Sequence, residues 1–384
     1  MFKNYNTSLM FLSSHFRLPL SAALFITLIG VAFAATDAST GLPWGEMLMG
    51  LFGGLALFLY GLDRLVAALK AVAGKGLRNI LAGLTGNRYL GALTGALVTA
   101  VIQSSSVTTV LVVGFVSTQL MSLTQAIGVI IGANVGTTIT AQIVAFKVTQ
   151  YALLMIAIGF AIEFLTRRET LRHYGQILMS LGLVFFGMSL MGDAMRPLQS
   201  YQPFLGLMAE MANPLTGIAV AALFTALIQS SSATTAIIIV MAGQGFITLP
   251  TGIALVFGAS IGTCVTAMLA AIGKPRDAVR AALAHLLFNV FGVLLWLGFI
   301  DQMAQWVIWL SPVAEDLSGT AKLAAEAPRQ IANANTLFHL LNSLLFLPFI
   351  KQLAWLVRQL VPDKPSPVPS ESRPTAIKLS RLIP

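Results

Sequence analysis

Two short stretches of the chain carry side chains whose spacing could do chemistry: Gln103-Ser104-Ser105-Ser106 and Gln229-Ser230-Ser231-Ser232. Each places a carboxamide and three consecutive hydroxyls inside an apolar run, followed by Thr108 and Thr109 or by Thr234 and Thr235. A lone Ser or Thr in such a run packs or bonds back to its own helix carbonyls. A glutamine and three serines in a row would point all round a continuous helix and leave some groups unsatisfied in hydrocarbon. The pattern therefore predicts a break. At a hairpin tip the hydroxyls and the amide converge, and the free N–H groups opening the next half-helix present its positive dipole end. Two such tips meeting would surround a small oxyanion with donors.

An anion held there would find no fixed positive charge. Residues 89–146 and 211–272 contain no Asp, Glu, Lys, Arg or His, and an uncompensated charge in a low-dielectric site is costly. A cation must accompany the anion. The neutral oxygens of Asn134, Thr137, Thr138 and Thr140, with Ser260, Thr263 and Thr266, suit a hard alkali cation, as would carbonyls freed where Gly132, Gly136, Gly258 and Gly262 loosen their helices. The same small residues also suit plain close helix packing. Without a carboxylate at the midplane, proton coupling lacks its common relay, and sodium is the economical choice. Arg280, His285, Asn289, Arg329, Asn333, Asn335, His339 and Asn342 form a second rank of candidates, lining the cavity or a gate or bracing two helices.

The elements that must position these residues are membrane helices. Of 384 residues 57% are hydrophobic and 10% charged, against about 25% charged in an ordinary soluble domain, and the mean hydropathy is +0.84. A soluble enzyme is excluded. Apolar runs predict spans near residues 46–63, 122–146, 150–166, 175–193, 248–272, 280–300 and 331–350. Residues 89–117 and 215–243 are too long for one span and too short for two, so each reads as a re-entrant hairpin buried in protein. With that topology nineteen of the 23 Lys and Arg fall on one side, which is then cytoplasmic. The net charge of +9 is thus topology and not a nucleic-acid surface. The lone Cys264 cannot form an intrachain disulfide and reads as a small buried hydrophobe. Residues 1–34 fit either a signal peptide, through Ala32-Phe33-Ala34, or an uncleaved helix, and the proline-rich stretch 361–384 reads as a disordered cytoplasmic end.

An internal repeat decides the fold class. Residues 99–109 read TAVIQSSSVTT and residues 225–235 read TALIQSSSATT, nine identities in eleven positions at an offset of 126. The same offset maps Tyr60-Gly61 onto Phe186-Gly187, Asn87 onto Asn213, and GANVGTTIT (132–140) onto GASIGTCVT (258–266). Each copy holds span, hairpin, span, span, so an odd number of crossings inverts the second copy. The expected class is all-α, a polytopic membrane protein with two inverted structural repeats, each containing a re-entrant helical hairpin, an architecture of secondary transporters. The organisation follows as 1–45 signal-like or anchor segment, 46–166 repeat 1, 167–300 repeat 2, 301–350 outer loop and last membrane helix, and 351–384 basic, Pro-rich tail.

The doubled Gln103 to Ser106 and Gln229 to Ser232 clusters, each followed by a Gly-rich block, resemble the type II sodium-phosphate cotransporter family over about residues 46–350. The resemblance implies sodium-driven movement of inorganic phosphate in a multi-pass plasma (inner) membrane protein, with phosphate at Gln103, Ser104, Ser105, Ser106, Gln229, Ser230, Ser231 and Ser232. Sodium ions would be co-transported close by, at Asn134, Thr137, Thr138, Ser260, Thr263 and Thr266. Two departures stand out: Ser260 and Cys264 replace the Asn134 and Thr138 of the first copy, and the short tail leaves no room for the cytoplasmic regulatory domain of many bacterial relatives. No organic cofactor is expected, and a homo-oligomer stays open. Competing readings are a transporter of another small oxyanion, a phosphate channel, which the lack of a charged ring disfavours, and an exporter. An intramembrane hydrolase is set aside because nothing in either motif supplies a base to the serines.

Overall fold

The computed structural model describes residues 42–73, 87–146 and 148–363. The readings made of the leader, of Lys75, Arg78 and Lys147, and of the tail beyond residue 363 lie outside the described residues.

Among the described residues the protein is all-helical. Fifteen α-helices run in order: α1 Trp44–Ala73, α2 Arg88–Ile102, α3 Ser105–Ser117, α4 Leu123–Val144, α5 Ala152–Leu165, α6 Glu169–Met195, α7 Gln202–Glu210, α8 Pro214–Ile228, α9 Ser231–Gly243, α10 Leu249–Gly262, α11 Cys264–Ala271, α12 Arg276–Leu297, α13 Ile300–Leu310, α14 Gly319–Phe346 and α15 Ile350–Leu360. Short polar caps start them where the sequence allows. The Asn87 side chain accepts from Tyr89 N and that of Asn213 from Leu215 N, both at 3.0 Å. Ser122 closes a capping box with Gln125, and Thr248 accepts from Thr251 N. Each cap satisfies a donor that the helix start leaves free.

Five helical runs, Leu123–Val144, Glu169–Ser200, Leu249–Ala271, Arg276–Leu297 and Gly319–Leu360, are long and apolar enough to cross a membrane. Gln202–Glu210 and Pro214–Ile228, bent by 102°, add a sixth if they are one broken span. Thr149–Leu165, expected as a span, falls among the shorter apolar helices with Arg88–Ile102, Ser105–Ser117 and Ser231–Gly243. Large apolar side chains crowd the outside: Leu93, Leu97, Leu153, Phe164, Leu223 and Leu227 are all more than half exposed. Such a surface suits lipid, where it costs nothing.

The helix ranges repeat at the offset of the sequence. Residues 214–228 and 231–243 of α8 and α9 stand 126 positions after 88–102 and 105–117 of α2 and α3. Within each copy the first short helix lies tightly on the following long one, α2 on α4 and α8 on α10. Glycine makes the approach possible, since a Cβ at Gly132 or Gly136 would run into Ala92 O or Ala96 O, and one at Gly258 or Gly262 into Ile218 O or Ala222 O. Between the copies α1 lies along α6. There a Cβ on Gly61 would press on Ser180 O and Val184 N, and one on Gly187 on Gly54 O and Phe58 N. The pairs 61/187, 54/180 and 58/184 are all 126 apart, so one contact occurs twice with its partners exchanged.

Two amphipathic helices occupy stretches read as loop and tail. α13 buries Met303 and Val307 while Trp306 and Trp309 stay exposed, and α15 buries Leu353, Ala354 and Val357 while Lys351, Trp355 and Arg358 face outward. Their buried faces pack on the helical core, and the outward Trp residues, joined on α15 by Lys351 and Arg358, suit a membrane interface; α15 closes the apolar run Gly319–Leu360. Arg280, one of the second-rank candidates, is committed to structure: its buried guanidinium donates to Asp277 and Asp363, both at 2.7 Å, and to Val361 O at 2.9 Å. It ties the chain beyond α15 to the start of α12.

Gly132→Val and Gly258→Val are expected to push α2 from α4 and α8 from α10, costing on the order of 1–3 kcal/mol or more by overpacking. Gly53→Ala, where a Cβ meets nothing within 4 Å, is expected to be neutral or stabilising by about 0.5–1 kcal/mol. Thermal unfolding in detergent reads both. Arg280→Gln is expected to speed proteolytic trimming from the C-terminal end while the helical core stays intact.

Candidate functional site

Both polar clusters sit at breaks between two short helices. α2 ends at Ile102, Gln103 takes a left-handed backbone (φ 56°, ψ 25°), and its N–H donates to Thr99 O at 2.6 Å. Ser104 then caps α3, its hydroxyl oxygen accepting from Val107 N at 3.3 Å. The second copy does the same: Gln229 has φ 55° and ψ 28°, its N–H donates to Thr225 O at 2.7 Å, and Ser230 Oγ accepts from Ala233 N at 3.2 Å. A positive φ costs an L-residue with a side chain roughly 1–2 kcal/mol. Glycine would carry none of that strain, yet glutamine stands there twice, which points to a use for its amide.

A threonine pair closes each break. Thr99 Oγ1 donates to Thr108 Oγ1 at 2.9 Å, and Thr225 and Thr234 share a hydrogen bond at 2.8 Å, all four side chains being buried. Sequence reasoning passed over Thr99 and Thr225, although both belong to the repeated eleven-residue block and lie nine positions before their partners. It also missed Gln142, whose Nε2 donates to Ala332 O, Asn333 Oδ1 and Thr336 Oγ1 and clamps α4 to α14. An isolated Gln within an apolar span gave no signal of a partner so far along the chain.

The two tips are not equally covered. Gln103 is 5% exposed; its Oε1 accepts from Thr140 Oγ1 at 2.8 Å and its Nε2 donates to Ala100 O. Gln229 is exposed, and the hydroxyl of Thr266, the counterpart of Thr140, is buried with no partner among the described residues. Ser105 is buried, whereas Ser104, Ser106, Ser230, Ser231 and Ser232 are half-buried. The first N–H groups of α3 and α9 have no carbonyl one turn earlier to bond. Together with the serine hydroxyls they form donor-rich, uncharged helix starts, the arrangement that takes oxyanions.

The first tip meets the second copy directly. Ser106 Oγ lies 3.3 Å from Thr263 Oγ1, which joins a candidate anion ligand to a candidate cation ligand 157 residues away. Of the other groups proposed for a cation, four are engaged on their hydrogen side, Asn134 Nδ2 donating to Ile130 O, Thr137 to Ala133 O, Thr138 to Val135 O and Ser260 to Val256 O, while Thr266 is the unpartnered one. A group that gives its hydrogen to a carbonyl keeps oxygen lone pairs for a cation. The first copy's glycines do not loosen their helix as expected, whereas the second copy's helix ends at Gly262. α4 continues through Gly132 and Gly136, and only the second copy is interrupted, at Thr263 between α10 and α11. Their work is the close approach to Ala92, Ala96, Ile218 and Ala222. Arg329, a second-rank candidate, stacks over Phe146 at 4.7 Å and donates to Gln142 O at 3.5 Å.

A cleft of about 390 Å³ opens between the C-terminal ends of α4, α6 and α9 and the first half of α14. Phe146, Met188, Gln244 and Pro328 line it, and Asp193 and Arg196 pair at 2.9 Å on its edge. None of its lining residues belongs to a tip.

The chain is 30% identical to the Bacillus subtilis protein YqeW, whose function its name leaves open, over 81% of this chain and 97% of that one. It is 28% identical over 87% of its length to YjbB, a proposed inorganic phosphate export protein of Escherichia coli, of which it covers 59%. A segment of 83 residues, 21% of this chain and 14% of the relative, is 47% identical to the sodium-dependent phosphate transport protein 2C of Rattus norvegicus. No solved structure matches the chain significantly. The model of the Na+/Pi-cotransporter family matches residues 57–193 and 200–312, well over half of the chain, and the protein therefore belongs to that family of phosphate transporters.

Proposed function

We propose that this protein is a sodium-coupled symporter of inorganic phosphate that works by alternating access in the plasma (inner) membrane, with its C-terminus in the cytoplasm. The observation that carries the reading is the pair of matched helix breaks, each with a left-handed Gln, a Ser cap and free N–H groups, in segments without a single charged side chain. Phosphate sits at Gln103 to Ser106 and Gln229 to Ser232, and the missing positive charge arrives as sodium at Asn134, Thr137, Thr138, Ser260, Thr263 and Thr266.

The helix lengths favour re-entrant hairpins. α2 and α3 have 15 and 13 residues, about 22 and 20 Å, well short of the ~30 Å of hydrocarbon. Inverted repeats are favoured by the contacts of α1 with α6, in which equivalent residues exchange partners as they do across a two-fold axis. Export is the second reading, favoured by the likeness to YjbB; the site is the same, and the sign of the driving gradient differs.

In proteoliposomes, phosphate is expected to accumulate under an inward sodium gradient and not under potassium; equal flux in both would leave a channel and end the symport reading. Ser105→Ala and Ser231→Ala are each expected to lower kcat/KM for phosphate roughly 10- to 100-fold, the worth of one hydrogen bond to a charged oxygen. Gln103→Gly and Gln229→Gly separate backbone from amide. Gln229→Gly, which removes an exposed side chain, is expected to leave melting unchanged or raise it by relief of the positive φ, whereas Gln103→Gly also loses the Thr140 hydrogen bond and is expected to melt lower; phosphate transport is lost in both, and transport retained by Gln229→Gly would show that its amide has no part in it.

A further inference from the structure

The cleft between α4, α6, α9 and α14 has a counterpart elsewhere in the molecule. A second cleft, of about 340 Å³, lies between the end of α3, the start of α12 and the chain just beyond α15. Ser117, Thr118, Pro275 and Arg276 line it, and the residues 126 positions away from them, Gly243, Gln244, Thr149 and Gln150, line the first. The repeat has therefore built the same cleft twice, with the wall from the end of the hairpin supplied by the first copy in one case and by the second in the other. The two differ in what fills them. The first is bordered by the exposed pair Asp193 and Arg196. Into the second reaches the chain itself, through Asp363.

Arg280 holds that segment by one edge of its guanidinium. Nε donates to Val361 O at 2.9 Å and Nη2 to Asp363 Oδ1 at 2.7 Å, while Nη1 donates to Asp277 Oδ1 at 2.7 Å. The Nε–H and Nη2–H bonds run side by side, and such a pair is the fork that takes two oxygens of one carboxylate or phosphate. Here the fork is shared between a carbonyl and a carboxylate from two different residues. The Arg280 side chain is 5% exposed and that of Asp363 81%. A buried guanidinium needs an anion beside it, whereas an exposed carboxylate loses little on returning to water. Arg280 alone therefore opposes their separation, and a second anion at the fork removes that opposition.

Charge says which ligand fits. Arg276 and Arg280 in the cleft are balanced by Asp277 and Asp363, and departure of Asp363 leaves an excess positive charge. Arg276, four residues before Arg280 and so on the same face of α12, is exposed. Ser117 and Thr118 give their hydroxyl hydrogens to Val113 O and Gly114 O, which leaves recognition to the guanidinium groups. A phosphate group presents oxygens in more than one plane and can accept from two guanidinium groups at once, which one carboxylate does poorly. We propose that this cleft is a docking site for a phosphate group, held by the fork of Arg280 with Arg276 beside it, and that the chain beyond α15 fills it as an internal competitor through Asp363. Inorganic phosphate and the headgroup of an anionic phospholipid share this chemistry. Binding of either releases the segment and uncovers the cleft. That the two clefts open on opposite faces of the membrane rests on the function proposed above; the docking site does not.

The test uses the full chain carrying a nitroxide label on Pro362→Cys, with Leu360→Cys as a second reporter and the buried Cys264 left in place, and reads label mobility by electron paramagnetic resonance. In sodium-free nanodiscs of phosphatidylcholine the label is expected to be immobile. Millimolar inorganic phosphate, or replacement of part of the lipid by phosphatidylglycerol, is expected to mobilise it; release by phosphate alone assigns the site to the free ion, and release by phosphatidylglycerol alone assigns it to the lipid headgroup. Asp363→Asn is expected to lower the ligand concentration needed roughly tenfold, the worth of one charged hydrogen bond. Arg280→Lys, which keeps the charge and loses the fork, is expected to mobilise the label without ligand and to abolish the response. Equal release by chloride at the same ionic strength would mean plain screening and overturn the site. A label mobile from the outset, a label that neither ligand releases, or an unchanged midpoint in Asp363→Asn would overturn it as well. None of these readings uses sodium or flux, so failure of the docking site and failure of the symport reading are told apart.

Discussion

Backbone hydrogen bonding inside an apolar medium is the constraint on which this structure depends. Each unpaired N–H or C=O in hydrocarbon costs several kcal/mol, which is why the described residues are built of helices and why a helix can stop in mid-run only if something else takes up its ends. At Gln103 and Gln229 the chain solves that problem with its own side chains. The left-handed glutamine turns the chain and returns its N–H to the threonine four residues back, the serine hydroxyl caps the next helix, and the two threonines close the angle between them. What remains free is a small set of N–H and hydroxyl donors, concentrated where the helix dipoles add to them.

The tight seat of α2 on α4 and of α8 on α10 supports these breaks from behind. Glycine at 132, 136, 258 and 262 lets whole helix backbones touch, and this contact holds a short helix in place that could not persist alone. Rigid scaffolding around a broken helix is also what a binding site needs, because donors fixed in advance require no reorganisation when an anion arrives. The absence of charge from the same segments links the proposed sodium coupling to the plain composition of the helices.

Near-identical sequence appears in two environments within one molecule. In the first copy the glutamine amide is covered and bonded to Thr140; in the second the glutamine is exposed and Thr266 stands unpartnered. The difference amounts to one side-chain hydrogen bond, about 1 kcal/mol net. Among the described residues the second copy alone departs from helical continuity, at Thr263, and its Ser260 meets His339 at 3.3 Å.

Much of this was legible in the chain. The eleven-residue block repeated at 126, the three consecutive serines and the long uncharged apolar runs determine that there are two equivalent helix breaks in a membrane protein, because these are local statements about periodicity, polarity and internal identity. Asn87 and Asn213 likewise mark helix starts by residue type and position alone. Tertiary structure decided the rest. That the first copy's motif glycines serve close packing and not helix loosening, that Ser106 reaches Thr263, that Thr140 covers Gln103 while Thr266 covers nothing, that Arg280 holds the chain beyond α15, and that Ser260 meets His339 all concern residues tens to hundreds of positions apart. A single sequence records what each residue is; which surfaces meet is set by the packing of whole helices, where side-chain volume and the reach of a hydroxyl or an amide select partners that spacing along the chain does not encode.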